Sequence, residues 1–379
     1  MKGRLVFVDL LRGWATIVMI EVHVFNAFLV GPIKATSWYG WVDYVNGLVA
    51  PSFLFVAGFV FVIASDRKLE EFRTLGRAYR RQLGRIVLIW VIGYGLHLPF
   101  FSLTRTIRDT PPEKWLEFFQ SDILHCIAIG MLIVFLGRIF IKRDRYYQWF
   151  IAVVGSVTVL AAPLIWDIDF TTVLPGVLAA YLNGQHYSIF PLFPWLGFLM
   201  FGAVTAFAYK NARAMGKEAE YFQRLTITGA VLLVGGSLIS EVPLHVQGVS
   251  TSVRANPLFF ASRLGIILLL LTACWYYAER RKTERSFVLD VSKESLLVYT
   301  AHLLVIYGRF WDGSSLAYRY RETFSLVQGI LATLGLMLLM VLAAKGWSRL
   351  KQKSMPWARF ISYATGIIVL IAFVVRKGY

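Results

Sequence analysis

Cysteine is nearly absent. The 379 residues contain two, Cys126 and Cys274, both inside apolar stretches, so neither a disulfide framework nor a CxxC metal site can be built from them. Buried thiols are the plain reading. Charge is scarce as well: Asp, Glu, Lys and Arg make up 16% of the chain, against about 25% in ordinary soluble domains. The sequence has no GxGxxG, Walker A loop, HExxH or CxxC, which removes the usual signatures of nucleotide hydrolysis and of a zinc site. It also has no low-complexity linker and no repeat with a period of about 20–50 residues.

Apolar residues are abundant. They make up 57% of the chain and aromatics 16%, above the roughly 45–50% apolar content of a soluble domain. That excludes a disordered chain, a disulfide-stapled module and a collagen-like fibre, and points to an all-α polytopic membrane protein forming a single domain over residues 1–379. Apolar runs of membrane-spanning length recur at residues 10–31, 41–65, 83–101, 121–140, 146–166, 190–209, 225–243, 256–278, 289–308, 325–345 and 357–375, a stretch of about 20 residues being what a helical span needs. The expectation is one bundle of eleven helices. Asp9 and Arg12 interrupt the start of the first run and no small-residue cleavage site follows, so it is expected to stay in the mature protein.

The charges that do occur are lopsided, with a formal net charge of +17. In a soluble protein this would suggest nucleic acid, but polytopic proteins concentrate Lys and Arg on the cytoplasmic face, and no nucleic-acid partner is expected. With the N-terminus inside, 28 of the 39 basic residues fall in inner segments and the loop from Asp167 to Ile189 has none. The spacing predicts a cytoplasmic N-terminus and a C-terminus outside.

Ionisable groups in hydrocarbon cost around 2.5–3.5 kcal/mol each on insertion scales, so each calls for a reason. The first helix has Asp9, Arg12, Glu21 and His23. At 3.6 residues per turn, His23 returns to within roughly 20° of Arg12, Asp9 and Asn26 fall close to the same line, and Glu21 points elsewhere. One face is therefore polar from end to end, with roughly 16 Å between Arg12 and His23 at 1.5 Å per residue. All six histidines (His23, His97, His125, His186, His245 and His302) fall in the outer half of this topology. For His97, His125 and His245 taken singly, packing is the plainer reading; His23, on a polar membrane stripe, is a functional candidate. Ser295, Tyr299 and His302 share a face of the ninth helix. They are either an interhelical hydrogen-bond set or part of a site. Asp122 and His125 are either a helix cap or a site pair. The segment FPLFPWLGFLMFG, with Trp195, reads as an aromatic belt and a rigid helix start. The basic loop DRKLEEFRTLGRAYRRQLGR, with Arg81 and Arg85, fits the positive-inside rule or a grip on a phosphorylated cofactor.

The pattern R-x4-D-x2-R-G-x-A-x3-M, at Arg4, Asp9, Arg12, Gly13, Ala15 and Met19, resembles the first helix of the transmembrane acyltransferase group. APSFLFVAGF, DILHCIAIGML, FPLFPWLGFLMFGA and SLLVYTAHLLVIYG follow in the expected order along nearly the whole chain. FPLFPWLGF and SW…APSFLF are more similar to the heparan-alpha-glucosaminide N-acetyltransferase catalytic family and its bacterial relatives than to the related envelope acyltransferase-3 type O-acyltransferases.

What the resemblance implies is transfer of an acetyl or other short acyl group from cytosolic acyl-CoA, usually acetyl-CoA, to a sugar or glycan on the far side, with no metal. The lysosomal member's catalytic histidine lies in the loop after the first helix; here Ile33 to Thr36 supply none, and the histidine is His23, as in the envelope acyltransferases. This departure carries the role of base or acyl acceptor to His23, while the glycosaminoglycan acceptor does not carry over. Asn26, Tyr299 and His302 are the other catalytic candidates, for proton transfer and for the developing oxyanion. Arg12 either contacts cofactor phosphates or pairs with Asp9, and Arg81 and Arg85 extend the cofactor side. Asp43, Asp122, His125, His186 and Trp195 are the acceptor-side candidates. The expected partners are the acyl-CoA donor, the glycan acceptor and the lipid bilayer of a bacterial-type inner membrane, with a homo-oligomer left open. The rival of another class is a transporter or flippase using the same polar stripe.

Overall fold

The computed structural model describes residues 5–65, 68–240, 249–281, 286–308 and 314–376. Arg4, His245 and the last three residues of the expected 225–243 run lie outside them. The described residues are helical almost throughout. The principal helices are α1 (Val6–Phe28), α2 (Ser37–Asn46), α3 (Val49–Ser65), α4 (Arg77–Leu96), α5 (Ile123–Phe140), α6 (Asp144–Ile165), α7 (Leu192–Ala214), α8 (Glu218–Ser240), α9 (Pro257–Arg281), α10 (Phe287–Lys293), α11 (Ser295–Tyr307), α12 (Leu326–Lys353) and α13 (Met355–Val375).

Seven segments among the described residues are long and apolar enough to cross a membrane: Ser37–Ser65, Ile123–Phe140, Asp144–Ile165, Leu192–Ala214, Pro257–Arg281, Leu326–Lys353 and Met355–Val375. The other four expected runs correspond to α1, α4 and α8, which carry charges within or at the start of the helix, and to a run that breaks in two. The expected continuous helix over 289–308 stops at Lys293 and restarts at Ser295. At the break, Glu294 leaves helical geometry and is buried, and its carboxylate accepts a hydrogen bond from Lys351 Nζ of α12 at 2.6 Å. A buried acid needs such a partner more than the backbone needs an unbroken helix. The expected basic loop is likewise partly helical: Arg77, Arg80, Arg81 and Arg85 all lie on α4.

The helix ends follow ordinary capping chemistry. Asp122 and His125 form a capping box at the start of α5, Ser325 and Gln328 another at α12, and Ser286 and Ser354 cap α10 and α13. The chain forms two compact units.

The first unit comprises residues 1–49, 98–114 and 280–379. Its α1 packs against α10, α11 and α12, around a core that includes Ile20, Val24, Phe28, Leu29, Val291, Val298, Ile306 and Met340. The last carbonyls of a helix need donors from outside it. The Phe28 carbonyl accepts from the Phe324 amide at 2.8 Å and that of Ala27 from the Glu322 amide at 3.3 Å. A returning segment thus ties down the end of α1 that carries His23.

The second unit comprises residues 50–97 and 115–279, with α6 against α7, α4 against α5, and α7 against α5 and α8. In this unit α3 and α7 touch backbone to backbone: a Cβ added at Gly58 would collide with the Leu199 carbonyl, and one added at Gly202 with that of Phe55. Small residues permit such approach between membrane helices. Gly202→Ala is therefore expected to lower the thermal midpoint of the detergent-solubilised protein, at a cost of about 1–3 kcal/mol for overpacking. Gly40→Ala, with nothing within 4 Å of the added carbon, is the control. Equal midpoints would show that the two helices have room to part.

Candidate functional site

The polar stripe of α1 has two ends. At its start, Asp9 is buried and Arg12 half-buried. Arg12 Nη2 donates to Asp9 Oδ1 at 2.7 Å and Arg12 Nε to Ser292 Oγ of α10 at 3.0 Å, while Ser292 Oγ lies 3.4 Å from Asp9 Oδ1. The pairing alternative for Arg12 is thus present, and a serine the sequence reading did not single out completes it. One turn on, a Cβ at Gly13 would strike the Val288 carbonyl of α10, so the glycine of the D-x2-R-G motif is what lets the two helices close around this pair.

Near the other end, four rings from two helices converge. His23 lies 5.1 Å from His302, centroid to centroid, and 5.9 Å from Tyr307; Tyr299 lies 5.8 Å from His302. His23 is half-buried and His302 fully buried. The hydrogen bond from His302 Nδ1 to the Val298 carbonyl, 2.7 Å, assigns its tautomer, because a carbonyl oxygen only accepts. The neutral ring then presents a bare lone pair at Nε2, and that buried atom has no hydrogen-bond partner. Asn26, one turn beyond His23, is exposed, and Lys34 Nζ donates to its backbone oxygen at 3.0 Å. Glu21 faces elsewhere and accepts from Asn46 Nδ2 at 3.4 Å. Asp43, on α2, is exposed.

The remaining sequence candidates lie in the second unit. Arg81 and Arg85 are exposed on α4. Asp122 Oδ1 accepts from the amides of Leu124 at 2.6 Å and His125 at 3.4 Å, which is its capping role. Its Oδ2 lies 3.1 Å from His97 Nε2, and His97 Nδ1 lies 3.0 Å from Gln120 Nε2. The His125 ring is fully buried, accepts the Asp122 amide at Nδ1 and lies against Tyr94 with centroids 4.2 Å apart. Trp195 is buried between Phe190 and Phe198. His186 meets Asp169 at 2.8 Å in the loop after α6. There, hydrogen bonds from the Thr171 side chain, His186 and the Thr171 amide hold the exposed Asp169 carboxyl down at about 2. Among the described residues no group of three His, Cys, Asp or Glu side chains is placed to hold a metal ion.

Sequence reasoning missed Ser292, Tyr307 and the His97–Asp122 contact. Ser292 and Tyr307 approach α1 only through tertiary packing, and the i, i+3 spacing that tied Asp122 to His125 gave no hint of a histidine 25 residues earlier.

Removing one partner of a buried ion pair takes away part of what offsets the burial of the other charge, and such losses destabilise. Arg12→Ala is therefore expected to lower the thermal midpoint of the ligand-free protein, because Asp9 is only 6% exposed, and Ser292→Ala to lower it less. An Arg12→Ala protein as stable as wild type would show that Asp9 is held by other groups.

A family model described as heparan-alpha-glucosaminide N-acetyltransferase, catalytic, matches residues 4–239. The match takes in the whole polar stripe of α1 and ends before Tyr299 and His302. No curated protein matches the chain.

Proposed function

The chain belongs to the heparan-alpha-glucosaminide N-acetyltransferase catalytic family, and from that premise we propose that it moves an acetyl or other short acyl group from cytosolic acyl-CoA to a hydroxyl or amino group of an extracytoplasmic sugar or glycan. A membrane acetyltransferase is what the family and the seven apolar spans give directly. The donor, the acceptor and the role of His23 are our reading. The observation that carries it is the approach of His23 to His302, 5.1 Å between ring centroids, on the same helix face as Arg12.

In this scheme the C–S bond of the thioester breaks as a C–O or C–N bond to the acceptor forms, the acceptor's proton passes to His23, and His23 hands that proton to the departing sulfur, which leaves as the thiol. Histidine has the proton affinity for that task near neutral pH. His302, buried and holding a bare Nε2, offers a hydrogen-bond acceptor that orients the His23 ring, rather than a donor. Stabilisation of the oxyanion then falls to Tyr299 and Asn26. About 16 Å of helix separates Arg12 from His23, close to the reach of an extended pantetheine arm, so the nucleotide stays inside while the thioester reaches the outer half. Arg12, Arg81 and Arg85 are the basic residues we assign to the donor side, and Asp43, Asp122, His125, His186 and Trp195 to the acceptor side. The full topology is eleven spans, N-terminus in and C-terminus out, in a bacterial-type inner membrane.

Purified protein given radiolabelled acetyl-CoA and an envelope extract is expected to label a glycan. His23→Ala should lower that transfer by about 10²–10⁴-fold, the usual worth of a general base, with folded yield unchanged. Coenzyme A should protect the solubilised protein against heat, by about 2.7 kcal/mol at a hundredfold excess over Kd. No protection by coenzyme A or acetyl-CoA at millimolar concentration, with protection by some other solute, would replace the enzyme with a carrier.

Sidedness is checked separately. Cysteines introduced between Asp66 and Gln82 should be shielded from impermeant thiol reagents in intact cells, and cysteines between Phe170 and Gln185 should react. Labelling in the opposite sense would invert the topology and, with it, the direction of transfer.

A further inference from the structure

The second unit holds a histidine that the scheme above does not use. His97 lies just past the C-terminal end of α4, and its side chain keeps 21% of its surface accessible, whereas the neighbouring His125 ring is wholly enclosed. Nε2 of His97 faces Asp122 Oδ2 at 3.1 Å and Nδ1 faces Gln120 Nε2 at 3.0 Å. A carboxylate only accepts and the carboxamide nitrogen only donates, so one assignment satisfies both contacts: the proton sits on Nε2 and the lone pair on Nδ1. Asp122 is itself immobilised, because the amides of Leu124 and His125 take its other oxygen.

This is the arrangement of a carboxylate-oriented base. The acid fixes the ring's tautomer and stabilises the imidazolium formed when the far nitrogen takes a proton. What occupies the far nitrogen is a neutral N–H donor on a side chain, and an alcohol or amine could make the same hydrogen bond in its place.

We infer that His97 is a second proton-accepting histidine, oriented by Asp122, which receives the proton of an alcohol or amine at Nδ1, the position Gln120 holds in this structure. The inference rests on the acyltransferase reading only for the identity of that molecule, a hydroxyl- or amino-bearing acceptor, whose proton His97 then takes in place of His23, leaving His23 its alternative role of acyl acceptor. The O–H or N–H bond breaks, its proton moves to Nδ1, and the lone pair left on oxygen or nitrogen becomes the nucleophile.

The test uses the full chain in detergent and diethyl pyrocarbonate, which transfers an ethoxycarbonyl group to an unprotonated imidazole nitrogen and releases ethanol and carbon dioxide. Modification is followed histidine by histidine by peptide mass spectrometry. His97 should react faster than His125 and His302, and Gln120→Ala, which uncovers Nδ1, should raise its rate severalfold. Asp122→Asn keeps an oxygen for the helix cap, since asparagine is a good N-cap, but removes the orienting charge and should lower the rate. In the transfer assay His97→Gln should lose about 10²-fold or more while coenzyme A protects it from heat as well as wild type. An His97 no more reactive than His125, or indifferent to both Gln120→Ala and Asp122→Asn, would overturn the inference. A wild-type protein that transfers no acyl group would sink the acyltransferase reading alone, and the reagent would still decide whether His97 is such a base.

Discussion

Asp9 and Arg12 stand one turn apart on α1, and their ion pair, completed by Ser292, is what allows a largely apolar helix to begin with two charges. The pair also sets what surrounds it. Ser292 belongs to α10, so the neighbouring helix must come close, and Gly13 is the residue whose missing side chain lets it. Once α10 is held there, α11 follows after a break of one residue and brings His302 alongside His23, about three turns beyond Arg12 on the same α1 face. A single electrostatic requirement at one end of the helix thereby fixes the registration of rings at the other.

That chain of dependence separates what was legible in the sequence from what was not. The stripe of Asp9, Arg12, His23 and Asn26 was legible because a helix repeats every 3.6 residues and the pattern lies within one segment. The face shared by Tyr299 and His302 was legible for the same reason. The break at Glu294 was not, because its cause is Lys351, 57 residues away on another helix. Nor was the His97 contact with Asp122, since no periodicity links the end of one helix to the cap of the next. Apolar run length located the seven segments long and apolar enough to cross a membrane but not the helix ends: Arg81 and Arg85 lie within the first turns of α4 although their charges marked them as loop.

The capping box of Asp122 and His125 shows how one residue can hold two positions at once. One carboxylate oxygen meets the helix amides and the other meets His97. Serving as a cap does not exclude a second partner. The cap costs the second contact nothing, because a carboxylate has lone pairs enough for both, and it makes that contact more rigid by fixing the first.

The crossing of α3 and α7 has a mechanical consequence. Where Gly58 lies on Leu199 and Gly202 on Phe55, main chain bears on main chain, with no side chain between to change rotamer and take up slack. A contact of this kind behaves as a rivet: it permits slight rotation about itself and resists sliding. Within the second unit, motion that accompanies turnover must therefore carry α3 and α7 together, and the compliance for it has to come from helices whose contacts are made by flexible side chains.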